Sequence, residues 1–358
     1  MQYTCWSLRL LSASIRPAKR KRPRLATSKG RATPPFSERR AGGRRICPPP
    51  DGNVRIRTSR AAFRFCYGAG VSEQRHPDGP FDRALRRLRR DRAARAGADP
   101  RYLHRRAADE LLERLDLVAR DFRTALDLGG GDGWLAGRLE ARGLDVIRAD
   151  SGRFFAAGGV RCDEDRLPFA DGAFDLVVSV GVLDTVNDLP GALTLIRRAL
   201  RPDGLFLAAF AGAGSLAMLR AALRAAEEAE GRDPAPRLHP QIDARAAGDL
   251  LARAGFALPV VDRDNVMVRF GTFAALLRDL RGMAGGNLLL SRARRPFGRS
   301  GYAAAAAAFA ARADADGKTA ETFDILYLSG WAPSPDQPRP ARRGSATASL
   351  ADALKPKG

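Results

Sequence analysis

Residues 125–134 read Ala-Leu-Asp-Leu-Gly-Gly-Gly-Asp-Gly-Trp, an apolar run that breaks into glycine and then into a new apolar segment. The form is Asp-x-Gly-x-Gly-x-Gly at the end of a predicted strand, Thr124–Leu128, ahead of a predicted helix, Trp134–Arg142. Glycine lets the backbone turn sharply and approach a ligand closely. The helix start beyond it offers unsatisfied N–H groups. Asp150 closes the next predicted strand, Asp145–Ala149, and stands 19 residues after Gly131. A carboxylate there suits the two hydroxyls of a ribose. Two readings fit this much. Gly131-Asp-Gly-Trp-Leu-Ala136 also matches the dinucleotide fingerprint G-x-G-x-x-A, and Asp150 serves either one.

Working outward, apolar and polar residues alternate in a regular order. Helical spacing runs through 81–96 and 103–118, the second with Leu103, Ala107, Leu111, Leu115 and Val118 on one face. Strands are predicted at Leu176–Val180 and Leu205–Phe210, with a helix at Pro190–Leu200 between them. Helices follow at 215–229 and 244–254, strands at 257–262 and 323–328, and the alanine run 303–311 is a helix by propensity. Trp331, Tyr327 and Tyr302 read as core. Strands alternating with helices predict an α/β fold with a doubly wound, mostly parallel sheet. The expected organisation is a basic extension (1–70), N-terminal helices (71–123), a sheet domain (124–332) with helices inserted at 265–315, and a loose tail (333–358).

Charge separates the extension from the body. The net charge is +21, but residues 1–70 hold 17 Lys/Arg against Glu38 and Asp51, or +15. The remaining 44 basic and 38 acidic residues leave the body at +6. A Pro-rich basic stretch buries too little surface to fold. It reads either as a transit peptide, which would place the chain in the mitochondrial matrix, or as sequence upstream of a start at Val71. Arg outnumbers Lys 55 to 6, a bias of GC-rich genomes, so a bacterial cytoplasmic setting is the primary expectation. The body carries no nucleic-acid motif and no run long enough to span a membrane. Cys162 is the body's single cysteine and no CxxC pair exists, so neither a zinc site nor a disulfide framework is expected.

Downstream motifs decide between the two readings of the glycine loop. Asp163-Glu-Asp-Arg-Leu-Pro-Phe169 is followed by Phe174-Asp-Leu-Val-Val-Ser179 and by Leu200-Arg-Pro-Asp-Gly204. This ordered series resembles the class I methyltransferase superfamily, with its seven-stranded Rossmann-like sheet and S-adenosylmethionine as cofactor. The resemblance implies that Asp127 meets the methionine ammonium, that Gly129, Gly131 and Gly133 form the cofactor loop, and that Asp150 holds the ribose. It further implies that Asp163 and the backbone of the adjacent Glu164 hold the adenine and that Ser179 to Val182 line the sulfonium side.

The likeness extends over about 80–354. Phe81-Asp-Arg-Ala-Leu85, Val186-Asn-Asp-Leu-Pro190, Leu251-Ala-Arg-Ala-Gly-Phe256, Asp279-Leu-Arg-Gly-Met283 with Asn287, and the ending Arg343-Gly-Ser-Ala-Thr-Ala-Ser-Leu350 resemble the arginine-hydroxylase family of complex I assembly factors. That family implies a partner, a core subunit of respiratory complex I, with peripheral contact at the inner membrane. Where it commonly has Leu-His-Trp, this chain has Leu183-Asp184-Thr185. Asp184 is therefore the candidate base, or the grip on a cationic substrate, against the plainer reading of a loop cap. Carboxyl or quinone methylation of a small molecule, and a non-catalytic chaperone, are the competing functions. His76, His104 and His239 form no facial triad in the sequence, and His239 reads either as a pocket residue or as an ordinary loop residue.

Overall fold

A computed structural model of the chain describes residues 55–57, 62–64, 79–96 and 99–337. The expectations for His76, for the tail beyond 337 and for nearly all of 1–70 lie outside those residues. Within 1–70 two short strands, β1 (Arg55–Arg57) and β2 (Ala62–Arg64), pair antiparallel where no element was expected.

Helices α1 (Arg83–Arg95) and α2 (Tyr102–Asp116) precede the large sheet. Then come β3 (Thr124–Leu128), α3 (Trp134–Glu140), β4 (Asp145–Asp150), β5 (Val160–Arg161) and β6 (Phe174–Val180). They are followed by α4 (Leu189–Ala199), β7 (Leu200–Ala211), α5 (Ala217–Ala229) and α6 (Ala244–Arg253). The last elements are β8 (Ala257–Phe270), α7 (Phe273–Gly282), α8 (Arg299–Ala310) and β9 (Thr319–Trp331). The seven strands β3 to β9 lie in the order β5-β4-β3-β6-β7-β9-β8. The first five are mutually parallel, and β9 runs antiparallel to both β7 and β8.

Burial follows the two-residue period of a strand. Leu126, Leu128, Val177, Phe206 and Ala208 face α4 and α6, where Leu193, Ile196 and Leu251 meet them. Ala125, Leu176, Val178 and Leu207 face the other way, onto Leu111, Leu115 and Leu139 of α2 and α3. Strands covered on both faces read as near-continuous apolar runs, and all five residues of β3 are buried, Asp127 included. Strand order reverses between β3 and β6, with β4 and β5 added on one side and β7 on the other, so the crevice of a doubly wound sheet opens at their C-terminal ends. A third cluster of Phe270, Phe273, Phe309 and Phe323 fastens α5, α7 and α8 over that end of the sheet.

Three expectations needed correction. Strand β8 runs to Phe270, so the expected insertion at 265–315 begins as strand and its helices start at Phe273. β8 is an edge strand in which Leu258, Val260 and Met267 are exposed, so no buried face marked its length in the sequence. β5 has two residues, too few to give any periodicity. Tyr302 is 46% exposed and is not core, whereas Tyr327 is 2% exposed.

Helix α1 has an unusual inward face. Asp82 caps it, its side chain accepting a hydrogen bond from the Leu85 N–H. The buried residues are Arg86, Arg90 and Ala93, and a stripe of arginine needs carboxylates opposite it. On the neighbouring turn, Gly181 follows β6 with φ +67, and a Cβ there would collide with the His104 imidazole. Replacing Gly181 with Ala combines a left-handed residue with that clash. We expect a loss of about 2 kcal/mol or more in unfolding free energy, read from urea denaturation.

Candidate functional site

The glycine loop leaves β3 at the sheet crevice. The Gly129 N–H donates to the Ala149 carbonyl at 2.7 Å, tying the loop to β4, and Gly129 itself has φ +81. A side chain at Gly129 would enter Val182. Gly131 and Gly133 also take positive φ, and Gly133 caps α3. Beneath the loop, Asp127 is 2% exposed and its Oδ2 has no hydrogen-bond partner. Burial pushes its carboxyl up to about 7, a rise that Arg148 opposes and the charge of Asp150 reinforces.

Asp150, Asp163 and Glu164 come together with the loop, and each is met by α1. Arg90 Nε donates to Asp150 Oδ1 at 2.7 Å and its Nη2 donates to Oδ2, a bidentate pair. Asp150 also accepts from the backbone N–H of Gly152 at 2.8 Å and of Gly131 at 3.3 Å. Arg86 Nη1 donates to Glu164 Oε2 at 2.6 Å, and Arg87 pairs with Asp163. Arg83 grips both oxygens of Asp165, each at 2.6 Å. Arg83, Arg86, Arg87 and Arg90 sit three and four residues apart, so they share one helix face. Burial disfavours the charge on Arg86, but Glu164 outweighs it and holds the guanidinium above its ordinary value.

A cavity of about 140 Å³ opens at the ends of β6 and β7. Val180, Gly181, Asp184, Thr185, His104 and His239 are among its walls. Asp184 lies in a 3-10 turn (Leu183–Thr185), and its Oδ1 is buried without a partner. Burial pushes this carboxyl up to about 6, with Arg86 and Arg90 acting the other way. His104 is held down to about 4 by burial, helped by Arg90 and Arg101, and so stays neutral at ordinary pH. His239 is likewise held to about 4 by burial and Arg89, and its Nε2 accepts from the Leu288 N–H at 2.9 Å. His239 is thus a pocket residue pinned by a backbone bond. His104 escaped the sequence reading because it lies beside Leu103 on an ordinary amphipathic helix.

Three arginines also line the cavity, and each is already paired: Arg86 with Glu164, Arg90 with Asp150, and Arg237 with Glu227 at 2.8 Å. The carboxylate of Asp184 has no such guanidinium partner among the described residues.

The buried polar atoms without partners test the cofactor expectation. They include Asp127 Oδ2, Glu164 Oε1 and Ser179 Oγ, and Ser179 is fully buried. An ammonium, ribose hydroxyls and an adenine amine supply matching donors, so these residues fit S-adenosylmethionine. Among the described residues, no group of three or more His, Cys, Asp or Glu side chains could hold a metal ion.

Residues 100–259 match the family described as a methyltransferase domain. The chain is 36% identical over 288 residues to the mitochondrial arginine-hydroxylase NDUFAF5 of Danio rerio, spanning 77% of this chain and 89% of that protein. It is 31% identical to the malonyl-[acyl-carrier protein] O-methyltransferase of Laribacter hongkongensis, spanning 73% and 92%. Among solved structures, the YcgJ protein of Bacillus subtilis aligns with a TM-score of 0.45 at 15% identity, covering 64% of this chain and all of that one. The chain belongs to the S-adenosylmethionine-dependent methyltransferase superfamily of enzymes, in the group that holds the arginine-hydroxylase and malonyl-carrier O-methyltransferase relatives.

Proposed function

We propose that this enzyme modifies an arginine side chain of a protein, a core subunit of respiratory complex I. One observation carries the reading. The cavity's guanidinium groups are all neutralised by carboxylates, while the carboxylate of Asp184 keeps an unpartnered, buried oxygen. Such a wall attracts a cation rather than a carboxylate substrate, and a guanidinium fits a carboxylate in a bidentate way. The resemblance to assembly factors supplies complex I. No helix among the described residues is long and apolar enough to cross a membrane, and the bacterial cytoplasm is the compartment we favour.

S-adenosylmethionine supplies a methyl group already activated by a sulfonium. Alignment of the acceptor then contributes most of the acceleration. Asp127 would hold the ammonium of the methionine and Glu164 the adenine, while Asp150 would take the ribose hydroxyls only in exchange for bonds it makes to Arg90, Gly131 and Gly152. Asp184 would orient the guanidinium and accept the proton its nitrogen gives up on methyl transfer, which would leave the cofactor's sulfur as the neutral thioether of S-adenosylhomocysteine. Neutral His104 and His239 leave the cavity without competing positive charge. A second reading, hydroxylation of the same arginine, is favoured by the name of the 36% identical relative.

The deciding experiment is peptide mass spectrometry of complex I subunits from strains with and without the gene. A subunit arginine peptide that becomes lighter by one methylene on deletion establishes methyl transfer, and one lighter by one oxygen establishes hydroxylation. Unchanged masses with failed assembly point to a chaperone. An intact complex I removes the proposal.

Asp184→Asn should lower kcat/KM by about 10²-fold or more while binding of S-adenosylhomocysteine is unchanged, since a general base contributes on that order. The pH profile gives a second check. With Asp184 titrating at about 6, kcat/KM should rise as pH passes through that value, and Asp184→Asn should lose that limb.

Asp127 allows a test by calorimetry. Its raised value means that the native state holds a proton which the unfolded chain sheds near the ordinary carboxylate value. Its contribution therefore favours folding less as pH climbs from about 4 to about 7, then levels off. An ammonium prefers the ionised form, so affinity for S-adenosylmethionine should increase with pH up to about 7, with proton release below it. Asp127→Asn should flatten this dependence.

A further inference from the structure

A second and larger concavity, about 1370 Å³, lies outside the cavity that holds Asp184. Its charge is one-sided: eight arginines and no Asp or Glu line it. Two of the eight have carboxylate partners, Arg237 with Glu227 and Arg292 with Asp82. The other six, Arg89, Arg92, Arg278, Arg281, Arg294 and Arg295, make no ion pair among the described residues. Elsewhere this chain pairs its arginines readily, as the whole inner face of α1 demonstrates.

The cost of the arrangement is visible at Arg89. Its Nη1 is buried without an acceptor. Burial, Arg292 and Arg92 together hold its guanidinium below the ordinary value. A buried donor without an acceptor and a ring of like charges both oppose folding. An anion in the groove would relieve both.

The floor is apolar. Leu219 and Leu223 of α5, Leu277 of α7 and Phe297 present hydrocarbon between the arginine rows. Arg278 and Arg281, on α7, stand three residues apart and so on one face. The ten residues of α7 extend about 15 Å, enough for four or five residues of extended chain. The two concavities share a wall: Arg237, Leu238, Leu280, Gly285 and Asn287 line both. A chain lying in the outer groove would therefore run beside the wall of the cavity that holds Asp184.

We infer that the outer groove docks an acidic, amphipathic stretch of the protein substrate, so that the modified arginine is flanked by Asp or Glu alternating with apolar residues. The inference rests on the reading that the substrate is a polypeptide. The two cavities would then sort charge. The cationic target enters the inner cavity at Asp184, and the flanking carboxylates settle on the outer arginines.

The test uses the full chain saturated with S-adenosylhomocysteine and fluorescein-labelled peptides carrying one central Arg. One peptide alternates Glu and Leu around it, and its control has Gln for every Glu. The acidic peptide should bind with an affinity that falls as salt rises, and the control should bind about tenfold more weakly or worse. The double variant R278E/R281E should weaken acidic-peptide binding by about tenfold or more, with S-adenosylhomocysteine affinity unchanged. R278Q/R281Q, with circular dichroism of both, covers the case in which charge reversal disturbs the fold. Equal binding of the two peptides, or no effect of either double variant, overturns the inference. So does binding only to phosphatidylglycerol vesicles, which would make the groove a lipid-facing surface. With S-adenosylmethionine in place of the product, an acidic peptide that docks through Arg278 and Arg281 but stays unmodified upholds the groove and removes the proposed reaction. A peptide modified equally by wild type and R278E/R281E does the reverse.

Discussion

The contact on which the rest of the site depends is the bidentate pair between Arg90 and Asp150. Both groups are almost fully buried, and both oxygens of the carboxylate are taken. Two such ions out of water are costly, on the order of several kcal/mol each, and only matched geometry and further hydrogen bonds offset that. The backbone N–H groups of Gly152 and Gly131 provide the further bonds. Losing one partner would strand the other charge. Arg86, Arg87 and Arg83 repeat the arrangement along the helix, so α1 is placed by charge where most helices are placed by apolar packing. The residues that would contact ribose and adenine are therefore the same residues that seat the N-terminal helix. Cofactor site and helix position form one electrostatic unit.

This explains what the sequence disclosed and what it concealed. The parallel sheet was legible because its central strands are buried on both faces and stand as apolar runs, such as Thr124–Leu128 and Leu205–Phe210. The glycine loop was legible because glycine at 129, 131 and 133 is needed for the backbone itself. Asp150 was nameable from its place at a strand end, and Asp163 and Glu164 from the motif that carries the family resemblance. Their partners were not. Helix α1 discloses itself in sequence only through the helical spacing of its apolar positions, and nothing in Arg-Ala-Leu-Arg-Arg-Leu-Arg-Arg announces that two of its arginines are buried. Strand β8 was truncated in the reading because an exposed edge lacks a core face to register. His104 stayed hidden because its role depends on facing Gly181, 77 positions away in the chain (181 − 104).

Charge also distinguishes the two concavities. Around Asp184, the arginines are satisfied and the free polar atom is a carboxylate oxygen. In the outer groove, the carboxylates are missing and the free atoms belong to guanidinium groups. One chain thus offers adjoining surfaces of opposite preference, separated by the loop that His239 pins through Leu288. The inner cavity opens at the ends of β6 and β7, and the outer one is built from α1, α5, α7, α8 and the loop between the last two.

Strand β9, the last strand of the sheet in the chain, enters it between β7 and β8 instead of adding to an edge. Until residues 319–331 have left the ribosome, β7 presents a line of unpaired backbone groups, Leu205 to Ala211, that β9 later covers. Such an edge is a template for pairing with another chain. Synthesis of this enzyme therefore carries a window, from the emergence of β7 to the emergence of β9, in which the half-made sheet is exposed to aggregation. Any truncation before Thr319 would make that window permanent.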